Sequence, residues 1–274
     1  MVPMGRAKRT LALLAIALSS CSSQVLPAAT PTLDTVNLRV YVTTATMPLF
    51  NELSVSFRQM YPESDFETAV GDYEAMMQRI LAEEETAYLI TNHLPLDSPL
   101  WAAPIGQDGI AIITHLDNPI ANLSIAQLRS IYEGQTVNWG DIGGVDSAIM
   151  VISREDGSGT RAEFEQAVMG SRRTTQRAQI APSSAAMVAS VARIPGSIGY
   201  VSMGYLDDTV KALTIEEVAP TRETVYDNSY PLRSPLYIVG RAEPEFTYRL
   251  FVAWAQSPAG QAIVGRHYAP LLRP

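Results

Sequence analysis

The stretch Ser153-Arg154-Glu155-Asp156-Gly157-Ser158-Gly159-Thr160-Arg161 sets an arginine, two hydroxyls and two glycines between an apolar run at 149–153 and an amphipathic run at 160–169. Those runs predict a strand and a helix, and in a parallel sheet a strand-to-helix junction is where ligands bind. The glycines let the backbone come close to a ligand, and the first N–H groups of the helix have no acceptor within it. An anion suits such a place. Ser158 and Thr160 can add hydroxyl donors beside the Gly159 backbone, and Arg154 can offer a bidentate guanidinium to two oxygens. Asp156 is placed to orient that guanidinium without touching the ligand. The same residues also fit a plain turn in which Thr160 and Glu163 form a capping box. Both can hold, but a glycine on each side of Ser158 plus a nearby arginine exceeds what capping needs.

Other chemistries find little footing. His93, His115 and His267 lie far apart with no HxxxH or HExxH spacing, so neither zinc nor a histidine-based triad is indicated. Ser158 has Asp156 where the first glycine of a G-x-S-x-G elbow belongs, which leaves a serine hydrolase as a remote alternative that turnover of phosphate or acyl esters would support. There is no P-loop and no dinucleotide fingerprint. We therefore expect no cofactor, no metal and no catalytic residue. The Trp139 loop and Tyr132 read as packing, with docking to a partner as the alternative.

The elements that must hold this junction alternate. Residues 36–42 (VNLRVYV) predict a strand, 48–60 a helix with Leu49, Leu53 and Phe57 on one face, 66–70 a strand, 73–84 a helix and 87–91 a strand. That β-α-β-α-β order implies a parallel sheet with right-handed crossovers. Further strands are expected at 110–114, 149–153, 198–202 and 236–239, and helices at 124–132, 160–169, 184–192, 244–256 and 259–268. About 240 residues beyond the first 35 is long for one core and comfortable for two lobes.

At the N-terminus, Arg6, Lys8 and Arg9 precede an apolar run at 11–18 that ends in Leu18-Ser19-Ser20-Cys21. Eight apolar residues fall well short of the roughly 20 that span a bilayer, so 1–20 reads as a secretory signal. Leu-Ser-Ser-Cys looks like a bacterial lipoprotein cleavage site, and Cys21 is the only cysteine in the chain. Acylation at Cys21 would anchor the chain at the outer face of the cytoplasmic membrane or in the periplasm. Residues 21–35, small, polar and proline-containing, then form a lipidated tether. Without Arg6, Lys8 and Arg9, the remaining 17 basic and 28 acidic residues leave a net charge of −11. That argues against nucleic acid as a partner, though not against a small buried anion held by backbone N–H groups.

The SREDGSGTR stretch resembles the anion loop of the phosphate-binding proteins of bacterial phosphate ABC importers. The resemblance continues in order through Thr44-Ala45-Thr46-Met47-Pro48-Leu49, Pro195-Gly196-Ser197-Ile198-Gly199-Tyr200-Val201, Tyr230-Pro231-Leu232-Arg233-Ser234-Pro235-Leu236-Tyr237 and Ser257-Pro258-Ala259-Gly260-Gln261, covering most of 36–270. It implies a two-lobed α/β fold of the type II periplasmic-binding-protein kind with two crossing hinge strands, lobe I at 36–112 plus 236–274 and lobe II at 113–235. It also implies a monomer that captures phosphate, or another oxyanion such as sulfate, molybdate or tungstate, for an importer's membrane subunits. An anion-sensing or adhesive lipoprotein on the same fold is the alternative. Carried across, Thr46 takes the first-loop hydroxyl position and Arg154, Ser158, Gly159 and Thr160 the anion loop. Two positions depart from the family: Gly71-Asp72 falls where glycine and serine are usual, and Asn92 where a proton-accepting aspartate is usual. Either Asp72 has taken over as acceptor, or it caps its helix and faces solvent.

If Cys21 is the acylation site, Cys21→Ser should leave an unprocessed precursor or a soluble protein. Detergent partitioning of parent and mutant measures this, and unchanged partitioning would remove the lipid anchor.

Overall fold

Alternation governs the first strand. In β1 (Val36–Thr43), Leu38, Val40 and Val42 enter one apolar cluster while Tyr41 enters another on the opposite face, as expected of a strand covered by helices on both sides. The structure is a computed structural model and describes residues 36–272 together with Met1. Cys21, the tether and, apart from Met1, the expected signal segment lie outside the described residues. Among the described residues no helix is long and apolar enough to cross a membrane.

The order continues with α1 (Met47–Met60), β2 (Ser64–Gly71), α2 (Tyr73–Ala82), β3 (Tyr88–Thr91), β4 (Trp101–Thr114), β5 (Asn122–Leu123) and α3 (Ile125–Glu133). Then come β6 (Met150–Arg154), α4 (Gly159–Phe164), β7 (Gln179–Ala181), α5 (Ser184–Arg193), β8 (Ser197–Ser202), β9 (Lys211–Ala212), β10 (Thr214–Ile215) and α6 (Arg222–Tyr226). The chain closes with β11 (Arg233–Gly240), α7 (Phe246–Gln256) and α8 (Pro258–His267). The main strand order is β2-β1-β3-β11-β4-β8-β6-β7. β1 pairs in parallel with β2 and β3, as the alternating pattern predicts, and β6 pairs in parallel with β8 and with β7, a short strand the sequence reading did not include.

Two antiparallel strands join these parallel groups. β11 lies between β3 and β4, while β4 pairs with β11 along its first part and with β8 from Ile110 to Thr114. The sequence reading starts that strand only at Ile110; it in fact begins at Trp101. Pro104, Gly106 and Gly109 read as strand breakers, yet the pairing skips from Gly106 opposite Leu236 to Pro104 opposite Tyr237, so an irregularity in register accommodates them. The expected helix at 160–169 is α-helical to Phe164 and then widens into a π turn over Glu165–Met169.

Aromatic packing fixes the helices. Leu49, Phe50, Leu53 and Phe57 form the buried face of α1, and Phe57 meets Phe66, Phe251 and Trp254 edge-on with ring centroids 5.1–5.9 Å apart. Beneath α4, Phe164 stacks on Tyr200 at 4.1 Å and Tyr132 packs against both. Tyr132 is therefore core, and Trp139 is buried with its indole N–H on the Gly196 carbonyl, 2.9 Å away.

Asp108, fully buried in β4, accepts from the Met203 N–H at 3.2 Å through Oδ1, while Oδ2 has no hydrogen-bond partner among the described residues. Burial pushes its carboxyl up to about 7, and the nearby Ser202 hydroxyl and the Met203 and Gly109 N–H groups only partly oppose this. Between the ordinary carboxyl value near 4 and about 7, the folded protein keeps a proton that the unfolded chain has released, so stability falls as pH rises across that window. Asp108→Asn should flatten the fall and raise stability near pH 8 by about 1–3 kcal/mol. Urea unfolding at about pH 5 and pH 8 tests this; an equal fall in the mutant would exonerate Asp108.

Candidate functional site

The end of β6 is held from behind. The Tyr200 hydroxyl lies 2.9 Å from Ser153 Oγ and accepts from the Arg154 N–H at 3.2 Å, and burial pushes that phenol up to about 12, so it remains neutral. The chain then turns into α4. Ser158 is the N-cap, its Oγ accepting from the Arg161 N–H at 3.3 Å, which leaves its own proton to give. Gly159 and Thr160 follow as the first helical residues, buried, with N–H groups that an α-helix cannot satisfy internally.

The two glycines have a use beyond ligand approach. A Cβ on Gly157 would stand 2.7 Å from Asp72 Oδ1, and one on Gly159 would stand 2.8 Å from the His93 Cβ. The loop is thus pressed against the start of α2 and the end of β3. The Glu74 N–H donates to the Gly157 carbonyl at 3.1 Å, and Asn92 Nδ2 donates to Thr160 Oγ1 at 3.0 Å.

Arg154 is only 1% exposed. Its Nε donates to Glu155 Oε2 at 2.8 Å and to the Ala181 carbonyl at 3.1 Å. Nη2 donates to Glu155 Oε1 at 2.7 Å and Thr44 Oγ1 at 3.0 Å, and Nη1 to Ser184 Oγ at 3.0 Å. Two expectations need correcting. The carboxylate that orients Arg154 is Glu155 and not Asp156, which is 94% exposed and pairs with Arg161 instead. The bidentate face is also taken by Glu155, so one Nη1 proton is left for a ligand.

Of the residues expected from the other part of the chain, Asn92 is fully buried against Thr160, and its Oδ1 has no hydrogen-bond partner among the described residues. Thr46 is fully buried at the start of α1, but its hydroxyl donates to the Ile90 carbonyl at 2.8 Å, so that proton is spent within the fold. What Thr46 brings near the loop is the N-terminus of α1. Asp72 accepts from the Ala75 N–H at 2.7 Å as the N-cap of α2, and the same oxygen lies beside Gly157, so the cap and nearness to the anion loop occur together.

Several neighbours escaped the sequence reading. Thr44, Ser184 and Glu155 enclose the guanidinium, the Tyr205 hydroxyl donates to the Thr44 carbonyl at 2.5 Å, and His93 Nδ1 lies 2.7 Å from Glu163 Oε1. Glu155 adjoins Arg154 in sequence and could have been considered; the others come from distant segments with no local signal. Chemically, Arg154 and four hydroxyls of Thr44, Ser158, Thr160 and Ser184 that each accept a hydrogen bond, and so keep a proton to donate, sit around a helix N-terminus. This favours oxyanion binding. The Ser158 hydroxyl accepts from the Arg161 N–H and His93 meets Glu163 through Nδ1; among the described residues no hydrogen bond joins Ser158 to a histidine or a carboxylate.

Residues 28–259 match the PBP superfamily domain. The chain belongs to that superfamily. Among superfamily members of known structure, it superposes on a proposed phosphate ABC transporter substrate-binding protein from Clostridium perfringens, solved with bound phosphate, at a TM-score of 0.81. That match has 29% identity and covers 86% of this chain and 100% of that one. An ABC-type phosphate transport receptor from Vibrio cholerae matches at a TM-score of 0.70 and 24% identity over 85% of this chain and 99% of that one, a likeness of fold. In sequence, the phosphate-binding protein PstS of Bacillus subtilis is 34% identical over 125 residues, 45% of this chain and 41% of that protein. The PstS of Borreliella burgdorferi is 27% identical over 169 residues, 57% and 61% of the two chains. These matches span less than two thirds of the length of either curated relative.

Because among the described residues Glu155 is the one carboxylate paired with the buried Arg154 guanidinium, Glu155→Gln should destabilise the protein by about 1–3 kcal/mol. Asp156→Asn, on an exposed carboxylate, should change stability by no more than about 0.5 kcal/mol. Paired urea denaturation curves compare the two; equal effects would contradict the assignment of Glu155.

Proposed function

We propose that this protein is an extracytoplasmic receptor that captures phosphate, or a similar tetrahedral oxyanion, between two lobes and delivers it to the membrane subunits of an ABC importer without chemical change. The observation that carries this reading is the buried Arg154 held beside the Ser158-Gly159-Thr160 start of α4, with Asn92 and the start of α1 brought to the same place. The phosphate bound to the Clostridium perfringens relative supports the choice of ligand. Lobe I would comprise 36–112 plus 236–274 and lobe II 113–235, with β4 and β11 as crossing strands about which a hinge motion closes on the anion. Cys21 would tether a monomer to the outer face of the cytoplasmic membrane.

Phosphate differs from sulfate in carrying a proton near neutral pH. Asn92 Oδ1, buried and without a partner among the described residues, would accept a hydrogen bond from that P–OH group, which sulfate cannot donate. An amide repels a fully deprotonated anion less than a carboxylate does, so the preference for phosphate over sulfate rests on this one hydrogen bond and should be modest.

Calorimetric titration with phosphate, sulfate, molybdate and tungstate tests the reading, and absence of heat for all four anions would sink it. Arg154→Ala should weaken phosphate binding roughly 10-fold to 150-fold, the equivalent of losing a charge-assisted hydrogen bond of about 1.5–3 kcal/mol. Binding within about twofold of the parent would make Arg154 purely structural.

A further inference from the structure

His93 and Glu163 belong to neither the ligand-contact set nor the core. His93 follows β3, whereas Glu163 lies on α4, 70 residues later, and Nδ1 and Oε1 are 2.7 Å apart. Both side chains are largely enclosed, at 14% and 13% exposure. The imidazole meets the Tyr73 ring edge-on at 4.7 Å, and its Cβ is what a side chain on Gly159 would strike. The pair therefore fastens α4, whose first turn carries Gly159 and Thr160, to the segment after β3 that carries Asn92.

We propose that His93 and Glu163 form a proton-dependent latch that positions the start of α4 against Asn92, so that anion affinity rises as the His93 imidazole takes up a proton. This rests on the anion-binding reading above, to which it adds regulation by pH.

The neighbouring charged groups are otherwise engaged. On α4 and its continuation, Arg161 is shared between Glu165 and Asp156, and Glu155 of the loop takes Arg154. On α2, Asp72 caps its helix and the Glu74 carboxylate accepts from Gln78. Burial raises the Tyr73 phenol, so it stays neutral, and Tyr237 stands opposite Thr91 on β11. Glu163 is the carboxylate that responds to a charge on His93. A neutral imidazole can donate one hydrogen bond from Nδ1 to the Glu163 carboxylate, whereas an imidazolium adds the attraction of opposite charges to that bond. Closure thus favours the protonated form. The latch is therefore tighter when the imidazole carries its second proton than when it does not.

The test is the affinity of the full chain for inorganic phosphate at about pH 5.5 and about pH 8, in parent, Glu163→Gln and His93→Gln. Titration of phosphate itself is common to all three and cancels in the comparison. The ratio of Kd at the higher pH to Kd at the lower should be about fivefold to tenfold larger in the parent than in either mutant. His93→Gln keeps an N–H donor and should bind within about threefold of the parent at the higher pH. Superimposable pH profiles for parent and Glu163→Gln would overturn the latch. If no protein binds phosphate, the functional reading fails and amide hydrogen exchange over 157–163 still judges the latch. After correction for intrinsic rates, protection should increase towards the lower pH in the parent and not in Glu163→Gln, and equal protection would refute it.

Discussion

A guanidinium that is 1% exposed must replace nearly all its hydration with protein acceptors, and the region around Arg154 is organised by that demand. Glu155 supplies the countercharge from the next residue, but it is acceptor-only and covers just one edge. The remaining N–H groups draw on the Ala181 carbonyl, the Ser184 hydroxyl at the start of α5 and the Thr44 hydroxyl between β1 and α1. Satisfying one buried cation therefore brings two distant segments, the β1–α1 turn and the β7–α5 connection, to the end of β6. It also orients hydroxyls: an oxygen that accepts from Arg154 points its own proton elsewhere, towards any acceptor that enters. The arginine's influence on an anion would thus run largely through Thr44 and Ser184, with a single N–H of its own.

Behind this cluster the support is apolar and stiff. The Phe164–Tyr200 stack fixes α4 over β8, and the Tyr200 hydroxyl reaches forward to Ser153 and the Arg154 backbone. In front, the absent Cβ atoms at Gly157 and Gly159 allow α2 and β3 to approach to van der Waals distance. A side chain at Gly157 would press on the Asp72 carboxylate and Glu74 Cβ, and one at Gly159 on His93 Cβ, Asn92 Oδ1 and Tyr73 Cβ, which strains the Asn92–Thr160 contact. The π turn after Phe164 lies at the far end of this helix, where it leaves the geometry of the first turn unaffected.

The loop was legible in the sequence because its signals are local: strand, glycine, hydroxyl, glycine and helix occupy consecutive positions. The parallel β1, β2 and β3 were legible because their apolar spacing and the intervening helical faces are local too. The first part of β4 was not, since Pro104, Gly106 and Gly109 carry breaker chemistry that only pairing with β11 overrides. The partners of Arg154 were partly hidden for the same reason. Thr44 lies 110 residues away and Ser184 lies 30 away, and nothing in the composition of either segment points to an arginine. Assigning the countercharge to Asp156 followed from sequence proximity, which does not distinguish neighbouring carboxylates that pair with different arginines. Thr46 illustrates a further limit: its position was read correctly, but a hydroxyl has one proton, and only the fold reveals that Ile90 receives it.

The acidity of the chain fits with anion capture once distance and burial are considered. Charges on the exposed surface are screened over about 8–10 Å at physiological ionic strength, so an overall excess of carboxylates weakly opposes an anion already enclosed by protein. The carboxylates closest to the loop are each tied to a partner: Glu155 to Arg154, Asp156 and Glu165 to Arg161, Glu163 to His93, and Asp72 to the α2 backbone. Paired in this way they act more as dipoles than as free negative charges, and their fields fall off faster than that of a lone carboxylate. The local potential is then set by the helix N-termini and the hydroxyl donors. Net charge in such a protein governs solubility and long-range encounter, while affinity depends on the few groups whose protons remain unspent inside the fold.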